Sequence, residues 1–231
     1  MHKMTRNKIL FIFFLLLILV CIFIGISTRL SYTDDIQLSG IQHGSSNPKI
    51  NIMNNTDSFY YDNKIKDLTQ LRNQSDVIAI IEPTGNYTQL SYTILAEVRI
   101  KKSLKGQLQA GQLVHIYEPG FIANQIYFSV DGYSLLQNSK QYIVFLKHPK
   151  YPEGYQKKKE DDVKFLFVSS KFGKYLNEPV FQRELLNKQK YDEGSLEFQE
   201  NKDLSLLTTD VNELENYNKI KKEVLDWAKS F

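Results

Sequence analysis

Residues 90–102 read LSYTILAEVRIKK. Tyr92, Ile94, Ala96, Val98 and Ile100 recur at every second position. Thr93, Glu97, Arg99 and Lys101 fall between them, and Leu95 is the apolar exception. Successive side chains of a strand point to opposite faces, so this period of two predicts a long strand buried on one side. Lys105-Gly106 ends it. Outward from this stretch, further short apolar runs alternate with turn residues. Residues 76–82 (DVIAIIE) stop at Pro83, with Gly85-Asn86 as a turn, and 112–118 (QLVHIYE) stop at Pro119-Gly120. Residues 125–130 (QIYFSV) stop at Asp131-Gly132, and 141–147 (QYIVFLK) and 163–169 (VKFLFVS) flank a loop rich in Pro, Tyr and Lys. Such spacing is that of a small barrel or sandwich.

Both ends of this β-rich stretch change period. Apolar residues at 61, 65, 68 and 71 predict a short helix within 59–74. Val211, Leu214, Tyr217, Ile220, Val224, Trp227 and Phe231 recur at helical spacing after Thr209 and Asp210, either of which can cap the helix. The helical stripe is expected to pack on the barrel.

The first 27 residues are of another kind. Residues 9–27 read ILFIFFLLLILVCIFIGIS, in which sixteen of nineteen are Leu, Ile, Phe or Val. As a helix they rise about 28 Å, close to the hydrocarbon thickness of a bilayer. Lys3, Arg6 and Lys8 precede them, and only Arg29 follows closely, so the N-terminus is expected in the cytoplasm and the rest outside. A removed signal segment, cut after Ser27 at Gly25-Ile26-Ser27, is the alternative and would leave the chain secreted. Residues 28–58, polar and rich in Asn and Ser, read as a flexible tether of roughly 30 Å. The expected order is thus a cytoplasmic tail (1–8), a membrane helix or signal (9–27) and the tether (28–58). A barrel-like domain with its leading helix (59–185) and a C-terminal helical segment (186–231) follow. The fold class is an all-β core, a small OB-like antiparallel barrel, with flanking α-helices and one N-terminal transmembrane helix.

Three of the 29 basic residues lie in the tail, leaving 26 against 26 acidic. A neutral exported part lacks the basic footprint of a nucleic-acid binder. The single cysteine, Cys21, lies in the apolar segment, so neither disulfides nor thiol chemistry are expected outside.

Four segments taken together look like a known pattern: 75–80 (SDVIAI), 93–106 (TILAEVRIKKSLKG), 114–120 (VHIYEPG) and 132–147 (GYSLLQNSKQYIVFLK). Their order resembles a group of exported bacterial domains similar to the netrin-like, TIMP-like variety of OB-fold barrel, over about residues 75–170. The resemblance implies a barrel and transfers no functional residue. The cysteines of the eukaryotic members are missing, and with them the amine by which those proteins inhibit proteases. Ser139 stands where a glycine is usual.

No H-E-x-x-H, G-x-S-x-G, P-loop or EF-hand pattern occurs, so no catalytic residue, metal ligand or cofactor is assigned. Two loops carry candidate ligand contacts. In 119–134 these are Phe121, Tyr127, Phe128 and Tyr133, with Ile122 alongside. In 148–162 they are Tyr151 and Tyr155, interleaved with lysines. Exposed aromatic rings of this kind bind apolar or planar partners. The function expected is therefore a binding module for an envelope protein, peptide or other envelope component. One alternative is an envelope enzyme in which His115, Glu118 and Asp131 converge. Another is a surface immunity or inhibitor protein.

Overall fold

A computed structural model describes residues 6–31, 44–54 and 60–231. The chain divides into two units, Met1–Asp35 and Ile36–Phe231. The first holds one helix, α1 (Arg6–Ser31), of 26 residues. Its described side chains, seventeen from 11 to 27, are all exposed. Among the described residues no helix is long and apolar enough to cross a membrane. The transmembrane helix expected over 9–27 therefore has no support in the structure.

In the second unit five strands close a barrel: β2 (Val77–Gln89), β3 (Ile94–Lys105), β4 (Leu113–Glu118), β7 (Tyr142–Lys147) and β8 (Lys164–Phe167). Their spatial order is β2-β3-β4-β8-β7, and β7 returns to pair with β2. In barrel numbering this is 1-2-3-5-4-1, consistent with an OB-like Greek-key barrel. The seam between β4 and β8 is parallel, so the barrel is not wholly antiparallel as expected. A strand that enters after the long 148–163 connection can run either way. β9 (Lys174–Leu176) adds to the outside edge of β7.

Strand alternation explains the two kinds of apolar run. In β3, Ile94, Ala96, Val98 and Ile100 are fully buried inside the barrel while Arg99, Lys101 and Lys102 are exposed. In β7 and β2 both faces are covered. Val144, Leu146, Ala79 and Ile81 join the interior, and Ile143, Phe145 and Ile78 join a second core outside it. That second core is closed by α2 (Leu68–Gln74, capped by Asp67) and α5 (Val211–Ala228, capped by Asp210). From α5 it receives Tyr217, Ile220, Val224 and Leu225. Each such aliphatic side chain contributes about 1.5–3 kcal/mol by burial. The stripe packs as expected, except that Val211 and Phe231 at its ends are exposed. Between β9 and α5 lie two short helices, α3 (Lys188–Asp192) and α4 (Phe198–Asn201).

A separate three-stranded sheet has the order β1-β6-β5; its β5 and β6 lie between the third and fourth barrel strands in sequence, and its β1 precedes the barrel. β5 (Gly120–Ala123) and β6 (Ile126–Val130) form a hairpin whose turn residues Asn124 and Gln125 both have positive φ, as a two-residue type I′ connection requires. β1 (Lys49–Met53) pairs with β6 in parallel, inside the stretch read as tether. Its partner lies 77 residues away, which no local pattern announces. Pro83, expected to end a strand, sits within β2 opposite Val98, next to an irregular register.

Gly132 and Ser139 flank the passage from β6 to β7. A Cβ on Gly132 would lie 2.4 Å from the Leu207 carbonyl, and its φ is +78°. Ser139 has φ +65°, the conformation that the glycine of the resembled pattern would adopt freely. A non-glycine residue there costs roughly 1–2 kcal/mol, partly offset by the chain entropy glycine loses. Ser139→Gly is accordingly expected to raise stability by about 0.5–1 kcal/mol, read as a higher urea midpoint at unchanged slope. An unchanged or lower midpoint would show that the Ser139 side chain compensates for its backbone.

Candidate functional site

The residue types that could do chemistry fall on opposite faces of β4. Val114, Ile116 and Glu118 point inward, and His115 and Tyr117 point out, half-buried. His115 and Glu118 therefore do not converge. Asp131 is buried elsewhere, accepting hydrogen bonds from Asn63 (2.7 Å) and the Ser170 hydroxyl (3.0 Å). The catalytic trio considered from the sequence is not assembled. Among the described residues no three His, Cys, Asp or Glu side chains are grouped to hold a metal ion.

Tyr127 and Tyr133 are likewise not surface contacts, although expected as such. Tyr127 is fully buried, donates to the Tyr133 carbonyl at 2.7 Å and meets Phe198 edge-on. Tyr133 donates its phenol to Glu118 Oε2 at 2.9 Å. In β6 the inward positions are Tyr127 and Ser129, so the outward ones are Ile126, Phe128 and Val130. Phe121 and Phe128 do stay at the surface, stacked at 4.8 Å, with Tyr92 edge-on to Phe121 at 5.5 Å. Tyr92, expected inside β3, is 79% exposed. The strand begins only at Ile94, after a turn closed by Leu90 N–H to the Thr93 carbonyl.

The loop 148–163 joins the fourth and fifth barrel strands. Tyr151 and Tyr155 stack in it at 4.6 Å and 7°. Asp161, on a 3-10 turn (Lys159–Val163), holds the loop's shape. It accepts from the Tyr155 phenol (2.9 Å), the Lys158 N–H (3.0 Å) and Lys164 Nζ (3.0 Å). These bonds, the Lys158 amide foremost, hold its carboxyl down to about 2. The Tyr151 hydroxyl is enclosed with no hydrogen-bond partner among the described residues. Burial first, then Asp161 and Tyr117, push its pKa up.

Tyr117 connects this loop to the outer face of β3 and β4. Across that face Leu95 pairs with Tyr117, Glu97 with His115 and Arg99 with Leu113, and β8 sets Lys164 beside His115. Glu97 accepts from Asn86 Nδ2 (2.9 Å) and the Thr84 hydroxyl (2.8 Å), and both lower its pKa. His115 Nε2 is 4.0 Å from it. Lys101 pairs with Glu82, Lys157 with Asp162 and Lys164 with Asp161. The face is thus aromatic, polar and locally neutral. The sequence pointed to Tyr151 and Tyr155. It did not point to Tyr117 as an electrostatic neighbour of Tyr151, because Tyr117 lies on β4, across the parallel seam from β8.

The fold also holds a polar cavity of about 140 Å³ between Asn54, Asp131, Lys171, Thr208 and Glu213. There Lys171 is ion-paired to Glu213. A smaller cavity, about 20 Å³ and water-sized, adjoins Lys174.

Asp161 makes the aromatic loop pH-sensitive. Its folded pKa lies below the unfolded value near 3.9. The order it confers is therefore complete above about pH 4 and is lost as pH falls through about 2. Near-UV circular dichroism of the tyrosines is expected to change between pH 4 and 2 while far-UV signal persists. In Asp161→Asn the altered near-UV spectrum is expected already at pH 7. A variant spectrum identical to that of the parent would show that the stack does not depend on Asp161.

Compared with protein-family models and with curated proteins, the chain matches none of either.

Proposed function

We propose that this chain is a membrane-tethered extracytoplasmic binding module that takes an envelope peptide or glycan across the β3–β4 face of its barrel. The stacked Tyr151–Tyr155 pair, beside Tyr117, carries the reading. OB barrels bind extended ligands over their second and third strands and the loop between the fourth and fifth, and that loop is the one bearing the two tyrosines. The ring of Tyr155, 45% exposed, offers a flat apolar surface to a sugar ring or a side chain. The enclosed Tyr151 hydroxyl offers a hydrogen bond still to be made. Paired charges on this face, and the balance of 26 basic and 26 acidic residues outside the tail, favour a neutral ligand over nucleic acid.

The tether rests on residues 9–27. They lie within one uninterrupted helix of 26 residues, about 39 Å long. Their described side chains are apolar but for Cys21, Gly25 and Ser27, and Lys/Arg cluster at the N-terminal side. The N-terminus is placed in the cytoplasm and the barrel outside. The netrin-like, TIMP-like kinship belongs to the same proposal. The 1-2-3-5-4-1 closure and the left-handed Ser139 support it.

The test is titration of the full chain in detergent with soluble cell-wall glycan fragments and with short neutral peptides, followed by calorimetry. Binding by one class is expected, weakened at least tenfold in Tyr155→Ala, since an aromatic stacking contact is worth about 1–3 kcal/mol. Arg99→Ala, on the same face but off the platform, is expected to change affinity less than threefold. Saturable binding that ignores Tyr155 would move the site elsewhere. No binding of either class by the folded chain would remove the reading.

A further inference from the structure

The three-stranded sheet β1-β6-β5 is apolar on its outward side as well as its inward one. Ile50, Ile52, Tyr127 and Ile122 point toward the interior core or pack on it. The opposite face forms a lattice fixed by register. Lys49 lies beside Ile126 and Ala123, Asn51 beside Phe128 and Phe121, and Met53 beside Val130. Six of these eight positions are apolar and none is acidic. None of the six belongs to either buried core. Tyr92 extends the face beyond Phe121, and Glu197 flanks it beside Lys49. A solvated outer face would carry polar side chains at these positions, as β3 does. The open edge is blunted, because the Gln89 amide bonds both the N–H and the carbonyl of Ile122. A partner strand is thereby discouraged, and the face, not the edge, remains for contact.

We infer that this face rests on the lipid surface of the membrane that holds α1, as an interfacial aromatic–apolar patch. The inference depends on the tether proposed above. β1 is the next described element after α1, and seventeen residues (32–48) separate Ser31 from Lys49. Residues 46–48 are already bonded to the barrel unit at 197–199, so the twelve residues 32–43, at most about 42 Å when extended, are what remains to join the β1 end of that unit to α1. Phe and Tyr rings with a lysine at the rim suit the boundary between headgroups and acyl chains, where ring faces are buried and the ammonium stays wet. A docked sheet leaves Tyr151 and Tyr155 free for another ligand, since they stand on a different loop.

The test uses the full chain in phosphatidylcholine vesicles. Cys21→Ser removes the native thiol, and Asn51→Cys or Glu153→Cys supplies one site for an environment-sensitive fluorophore. Lipids brominated near the headgroup are expected to quench the label at 51 at least threefold more than the label at 153. Phe121→Asn with Phe128→Asn is expected to abolish the difference. If that pair fails to fold, the exposed Tyr92→Ser is expected to reduce the difference by about half at an unchanged unfolding temperature. Equal quenching at 51 and 153, in chain that resists an alkaline wash, overturns the docking and leaves the tether standing. Chain that washes off overturns both. A label at 51 shielded from aqueous iodide, yet untouched by brominated lipid, overturns the docking in favour of a protein cover.

Discussion

Glu118 ends the third barrel strand with its carboxylate turned inward and fully buried. Oε2 accepts the Tyr133 phenol and the Leu136 N–H, at 2.9 and 2.8 Å. Its backbone carbonyl accepts the Thr93 hydroxyl at 2.7 Å. One residue thus joins the end of β4, the turn before β3 and the connection that leads to β7. Opposite, the buried Lys174 on β9 sets its ammonium 4.6 Å from the centre of the Tyr133 ring and 5.2 Å from that of Tyr142. Burial pushes the Glu118 carboxyl up and the Lys174 ammonium down, and the attraction between them opposes both shifts. Removing either partner would leave a buried charge facing only neutral dipoles, which is more destabilising than never having had the pair. Oε1 accepts no hydrogen bond among the described residues, so the arrangement specifies the packing more than it stabilises it.

That interior constraint fixes what can stand outside. With Glu118 inward, strand alternation forces Tyr117 outward, toward the loop carrying Tyr151 and Tyr155. With the Tyr133 phenol on Glu118 and the Tyr127 phenol on the Tyr133 carbonyl, β6 must turn Tyr127 inward and Phe128 outward. A one-residue slip of β6 would put Phe128, which has no hydroxyl, beneath the Tyr133 carbonyl and turn Tyr127 to solvent. The two aromatic surfaces are therefore consequences of the same buried hydrogen bonds.

The legible part of the fold was the part with unequal faces. In β3 the alternation of Ile94, Ala96, Val98 and Ile100 with Arg99 and Lys101 named the strand and its buried side. α5 was legible for the same reason. β6 was legible as a strand but not as to its sides, because IYFSV carries an aromatic ring on each face. Tyr127 and Phe128 could be told apart only by what lay beneath them. β1 was hidden by its composition and by a parallel partner far along the chain. Of the six aromatic positions marked from the sequence, Tyr151 and Tyr155 came together, Phe121 and Phe128 formed a second surface, and Tyr127 and Tyr133 went inside. The small sheet is drawn from both sides of residue 75, since β1 (Lys49–Met53) precedes that point, and its β5–β6 hairpin is an insertion between barrel strands that the segments of the resemblance do not describe.

A binding module on a membrane need not bind tightly. Under the proposed tether, contact with lipid or wall is effectively intramolecular and weak affinities suffice. The balance of charge outside the tail is compatible with the proposed tether, since a tethered domain has no need of long-range electrostatic steering to find its surface. What it needs is orientation. A sheet whose outer side is Met, Ile, Phe and Val, held flat by its pairing and capped at its edge by Gln89, can supply orientation by lying down. The loop between the fourth and fifth strands, fixed by Asp161, then faces wherever the rest of the barrel directs it.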